Sequence, residues 1–146
     1  MKTIALRFEE TFSPECGTIA AHQRIISDMG YVWYGKLGTA VSRKIIEELM
    51  QSTDPKFLLI KSGKTERYWV HFKAVSAEKP TANEYPAYYN DKAEAMRIWF
   101  KVTSFELAPK DVMSHCYVIS SGKSLSEASR HSMSPYFIIE YREDEK

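Results

Sequence analysis

Between positions 31 and 79, nine lysines and arginines (Lys36, Arg43, Lys44, Lys56, Lys61, Lys64, Arg67, Lys73 and Lys79) outnumber five acids (Glu47, Glu48, Asp54, Glu66 and Glu78). Tyr31, Trp33, Tyr34, Tyr68 and Trp69 are interleaved with them, and Tyr85, Tyr88 and Tyr89 follow closely. Cations neutralise phosphates and aromatic faces stack on bases, so this mixture suits a single-stranded or flipped-out nucleotide. The competing reading is an ordinary basic surface over core aromatics. The local balance of +4 within a chain of net charge +1 leaves −3 for the rest, so no global field draws the protein to nucleic acid or to an anionic membrane. Any such contact has to be local.

Other chemistries lack their residues. No glycine pattern matches a phosphate-cradling loop or a dinucleotide fingerprint. His22, His71, His115 and His131 are scattered, none at metal-ligand spacing from another His or Cys, so neither a metal nor a cofactor is expected. His115 and Cys116 adjoin, yet neighbours in a strand point to opposite faces, which favours a buried Cys116 and a surface His115 over a nucleophile pair. His22 falls on the apolar face of a helix and reads as a hydrogen-bonded core residue. Glu9-Glu10 and Glu47-Glu48 diverge along their elements and share no proton, so no acid–base pair and no catalytic residue is assigned.

These residues need a frame. Thr3 to Phe8 alternates as a half-buried strand, and Ile19, His22, Ile25, Ile26 and Met29 mark a helix between about Ser13 and Met29, stopped by Gly30. Tyr31 to Lys36 is a short strand, Ser42 caps a helix from Arg43 to Gln51, and Phe57–Lys61 with Tyr68–Val75 form a hairpin around Ser62-Gly63-Lys64-Thr65. Alternation sets Val32 and Trp33 on opposite faces, and it groups Trp69, His71 and Lys73 against Val70 and Phe72, so one of the two indoles is expected to be half exposed. Ser76 to Asp91 shows neither period and is read as a long binding loop carrying the tyrosines. Ala95 to Leu107 is the longest strand signal, followed by a helical turn at Pro109–Ser114, strands at Cys116–Ser120 and Tyr136–Tyr141, and a short helix at Leu125–Arg130.

The chain of 146 residues, 44% apolar and 27% charged, is large enough for one core and is expected to be a single domain over residues 1–142 with an acidic tail at 143–146. Cys16 and Cys116 are expected to be unpaired, and with no export signal or bilayer-length apolar run the expected location is the cytoplasm, away from membranes. The fold class expected is α+β: a small curved, mostly antiparallel sheet or pseudo-barrel of five to seven strands with two principal helices.

Gly30-Tyr-Val-Trp-Tyr-Gly-Lys-Leu-Gly38, a helix ending Leu49-Met50, Phe57-Leu-Leu-Ile-Lys-Ser62, the strand Trp69-Val-His-Phe-Lys-Ala-Val75 and Tyr85-Pro86 together resemble the EVE family. That family belongs to the PUA-like group with the YTH and ASCH domains. The resemblance spans about residues 30–90. Lys36-Leu37 stands where the family has Arg-Asn, Ile60-Lys61-Ser62 where it has Tyr-His-Ser, and Tyr85-Pro86-Ala87 where it has Tyr-Pro-Asp. The resemblance implies a pseudo-barrel that binds a nucleobase, often a modified one, in an aromatic cage. It would set Trp33 and Gly35 at the mouth, Ser62 at the base and Tyr85 on the covering loop. Pattern alone adds Trp69 and Tyr88 as stacking candidates, and Lys36, Lys61 and Arg67 as phosphate contacts.

The function expected is thus a non-enzymatic module binding DNA or RNA, with a modified base as one form of ligand and a nuclease or other effector protein as partner. The alternatives are an ASCH-like enzyme, such as a nucleoside amidohydrolase using Lys61 or Lys73 as base or electrophile, and a protein-interaction domain.

Overall fold

In the computed structural model, the described residues are 2–8, 18–36, 41–61, 67–81, 83–86, 89, 93–131 and 136–142. Among them run β1 (Lys2–Phe8), α1 (Thr18–Met29), β2 (Val32–Lys36), α2 (Arg43–Met50), β3 (Lys56–Lys61), β4 (Arg67–Ser76), β5 (Ile98–Leu107), β6 (Cys116–Val118), α3 (Leu125–His131) and β7 (Tyr136–Tyr141). Two 3-10 turns, Ala93–Ala95 and Val112–His115, precede β5 and β6.

The strands form one seven-stranded sheet in the order β2-β5-β4-β3-β1-β7-β6. Every pairing is antiparallel except β1 with β3, which the α1-β2-α2 crossover makes parallel. The α+β class and the mostly antiparallel sheet are as the sequence implies, and the expected hairpin is present as β3–β4, with Leu58 opposite Trp69. Its turn at 62–65 lies outside the described residues, as do the Ser13-Pro14 start signal, Cys16 and the acidic end at 143–146.

Helix ends follow local chemistry. The Ser42 hydroxyl accepts from the Ile45 amide at 3.4 Å, and Gly30, at φ +86°, donates to Ile26 to close α1. Two strand boundaries differ from expectation by more than one residue: the long strand begins at Ile98, because Ala93–Ala95 coils into a 3-10 turn that carries Ala93 and Met96 into a buried cluster, and β6 ends at Val118 rather than Ser120. The short helix expected at Leu125–Arg130 is present as α3, one residue longer.

The sheet curls strongly. Phe57 of β3 lies 4.9 Å from Phe100 of β5 and 5.9 Å from Tyr34 of β2, and the Lys36 ammonium of β2 sits 5.4 Å over the ring of Tyr136 on β7. Four strands separate β2 from β7 in the sheet order, so that last contact brings its two ends towards each other. Inside the curl, Ile4, Leu6, Val32, Tyr34, Phe57, Leu59, Val70, Phe72 and Phe100 form the main core, with α1 and α2 packed on it. Outside, Ala5, Leu58, Ile60, Trp69, Phe137 and Ile139 form a second core with Val112, Met113, Cys116 and Leu125. Both faces of β3 are covered, which is why Phe57-Leu58-Leu59-Ile60 is apolar without alternation.

Candidate functional site

A third cluster lies on the outer face of β2 and β5, where Tyr85, Tyr89, Ala93, Met96 and Trp99 pack together and Trp33 leans against them, half-buried. Strand pairing places Trp33 opposite Lys101 and Gly35 opposite Trp99, with Ala74 and Ser76 of β4 next in those rows. Gly35 has a packing reason: a Cβ there would stand 2.9 Å from Trp99 Cζ3, so the indole lies on the bare strand. Tyr85 lies 5.2 Å from Trp99, and Tyr89 lies 5.9 Å from it. Behind the cluster the Tyr89 hydroxyl and His22 Nε2 are 2.8 Å apart, which ties the loop to α1 through a fully buried histidine.

Glu84 anchors this loop on β2. Its carbonyl accepts from the Trp33 amide at 2.8 Å, its carboxylate accepts from the Tyr31 hydroxyl, and Oε2 accepts from the Thr81 amide at 3.1 Å. The hydrogen bond to the Glu84 carboxylate favours the neutral phenol and pushes the Tyr31 pKa up, with burial and the nearby negative charge acting the same way. Asn83, just before, holds the left-handed φ of +84° that a short polar side chain tolerates.

Two lysines lie beside the cluster. The Lys101 ammonium lies 4.3 Å from the Tyr31 ring centroid and 6.0 Å from that of Trp33, while Lys73 reaches within 6.0 Å of Tyr31. These are cation–π distances. Lys101 was not legible as a site residue, since it falls outside the basic stretch 31–79. The available signal was its place among the positions of β5 that alternate with Ile98, Phe100 and Val102 of the main core, with Trp99 and Thr103.

Of the residues expected at the site, the structure brings together Trp33, Gly35 and Tyr85. Trp69 is the buried indole: it belongs to the second core, 5.0 Å from Tyr141 edge-on, with the Lys56 ammonium 4.6 Å over its ring. Lys36 points into the curl, opposite Trp33, and desolvation lowers its pKa. Arg67 turns its Nε to Met113 Sδ at 2.8 Å, beside the second core. Ser62, Tyr88 and the side chain of Lys61 lie outside the described structure.

The remaining reactive groups behave structurally. Cys116 is fully buried, and desolvation pushes its thiol up to about 12, far from a neutral-pH nucleophile. His115 is half-buried and 3.2 Å from Asp111. His71 is held by Asp54 at Nδ1 (3.1 Å) and Glu106 at Nε2 (2.8 Å), carboxylates on opposite edges of the ring that cannot converge with it on one ion. Among the described residues no group of three or more His, Cys, Asp or Glu is placed to hold a metal, and no helix is long and apolar enough to cross a membrane. Lys73 is exposed and lacks the burial that activates a catalytic amine.

A family model described as Pua-like matches residues 4–140. No curated protein and no solved structure matches the chain.

Proposed function

The chain belongs to the Pua-like family, whose domains are generally binders of RNA or other nucleic acids, and we propose that it binds nucleic acid by taking one nucleobase against Trp33 on the outer face of β2 and β5. The observation that carries this reading is the half-buried Trp33 indole, supported from behind by Trp99, Tyr85 and Tyr89 and approached by the Lys101 ammonium at 6.0 Å. A half-buried indole held on an aromatic wall keeps part of its surface for stacking on a base at little entropic cost. The resemblance to the EVE family over residues 30–90 supports a finer form of the same reading, in which the base is modified: an aromatic wall tolerates a methyl group that a hydrogen-bonding edge would reject. A nuclease or other effector partner would supply chemistry for which no catalytic residue is assigned in this chain.

The test is fluorescence anisotropy with single-stranded RNA, single-stranded DNA and base-methylated duplexes over a range of salt. Trp33→Ala should weaken binding of the preferred ligand by about 1–3 kcal/mol while leaving the salt dependence unchanged, because stacking is lost and charge is not. Wild-type protein that binds none of these at low salt overturns the reading.

A further inference from the structure

The cations beside Trp33 have an arrangement that the packing of the sheet does not require. Lys101 and Lys73 hold their ammonium groups within 6.0 Å of one ring centroid, that of Tyr31, although like charges gathered about one ring repel. Nearby Lys79 is paired with Glu94 at 3.2 Å, whereas neither Lys101 nor Lys73 has an ion-pair partner among the described residues. On the loop, the Glu84 carboxylate accepts from the Tyr31 hydroxyl and the Thr81 amide, which anchors the Tyr31 ring. Two ammonium groups with no contact ion pair among the described residues, set about one anchored aromatic ring next to the half-buried Trp33 indole, are placed to receive an anion.

We propose that Lys101 and Lys73, positioned by Tyr31, form the clamp for the phosphodiester backbone of a single-stranded polynucleotide whose base stacks on Trp33. This rests on the nucleic-acid reading and adds the path of the strand: across β2 and β5 towards β4, over the outer face of the sheet. The backbone then runs on the opposite side of the sheet from Lys36 and in a different cluster from Arg67. A single strand suits the site better than a duplex, because a half-buried indole reaches only a base whose face is free of its stacked neighbours. Phosphate is the shared chemistry of RNA and DNA, so both strands are arms of the test.

The experiment measures anisotropy of labelled single-stranded RNA and DNA of mixed sequence between low and high salt, for wild type, Lys101→Gln, Lys73→Gln, Trp33→Ala and Lys123→Gln. The last is exposed on the turn before α3 and serves as a control for net charge. Each clamp variant should lower the salt slope by about 0.7, which near 0.1 M salt is about a fivefold loss of affinity, while Lys123→Gln changes neither. Unchanged melting temperatures verify that these exposed or half-exposed substitutions leave the fold intact. Slopes unmoved in Lys101→Gln and Lys73→Gln, with Trp33→Ala still weakened, overturn the clamp and leave the function reading standing. An equal drop for Lys123→Gln also overturns it, since the effect would then be net charge. No binding by wild type removes both.

Discussion

Adding one methyl group at Gly35 probes the aromatic wall without touching its rings. A Cβ on this residue would overlap Met96 Sδ and lie 2.9 Å and 3.1 Å from Trp99 Cζ3 and Cε3. The methionine can swing away, being the end of a flexible chain. The indole cannot do so cheaply: it has no exposed surface and is flanked by Tyr85 and Tyr89. Overpacking of this kind costs roughly 1–3 kcal/mol, against which alanine recovers about 0.5–1 kcal/mol of backbone freedom lost by glycine. The expected net loss for Gly35→Ala therefore centres on about 1 kcal/mol, or roughly 2–4 °C in melting temperature for a chain of this length. Thermal unfolding followed by near-ultraviolet circular dichroism reads both the midpoint and the tryptophan environment. In a cycle with Met96→Ala, the part of the cost carried by the sulfur disappears and the part carried by Trp99 remains. A melting temperature that holds or rises in Gly35→Ala would refute the reasoning, because the indole would then have room to move off β2 and could not serve as a wall for Trp33.

Two further predictions concern buried groups. In a Cys16→Ser background, Cys116 should resist thiol reagents at pH 8 and react only on unfolding. Between the usual thiol pKa near 9 and the folded value of about 12, the unfolded chain releases a proton that the native one keeps, so stability should fall with pH by about 1.4 kcal/mol per unit, a dependence that Cys116→Ala removes. Lys36 has the opposite sign: its lowered pKa means that the unfolded chain holds the proton more firmly, so this group adds stability as pH rises from the folded value towards 10.5. Lys36→Met should hold or raise the melting temperature at pH 7 and leave the salt slope of nucleic-acid binding unchanged. A lowered slope would place that ammonium at the ligand.

Much of the frame was legible because alternation separates the large apolar residues Ile4 and Leu6 from Thr3 and Ala5 in β1, and Phe137 and Ile139 mark β7, whose bounds Tyr136–Tyr141 match the expectation at both ends. β1 is not half-buried as expected, however, since Thr3 and Ala5 are buried too, Ala5 within the second core. Turn and cap chemistry was equally direct at Ser42 and Gly30. Alternation says which residues share a face, however, and not what covers it. Trp33 and Trp69 were equivalent on that evidence: each lies on the strand face opposite the main core. The 3-10 turn at Val112–His115 and α3 pack over the region around Trp69 and bury it, while the loop around Tyr85 covers Trp33 only in part. That distinction is tertiary, made by segments more than 40 residues away in sequence.

The same cause explains the shift of the cationic site. Lys36 sits two residues from Tyr34 in β2, so it shares the inner face of the sheet and is drawn into the curl, where Tyr136 receives its ammonium. Lys101 lies 68 positions beyond Trp33 yet is its direct partner across β2 and β5. A local charge count weighs the near residue heavily and omits the far one. The pairing register reverses this: cross-strand neighbours share a face and have Cβ atoms roughly 5 Å apart, close enough for a lysine to lie over an aromatic ring. Trp33 on β2 with Tyr31 just before it, Lys101 on β5 and Lys73 on β4 thus form a band running across the strands, and an extended ligand that engages all of them must also cross the sheet.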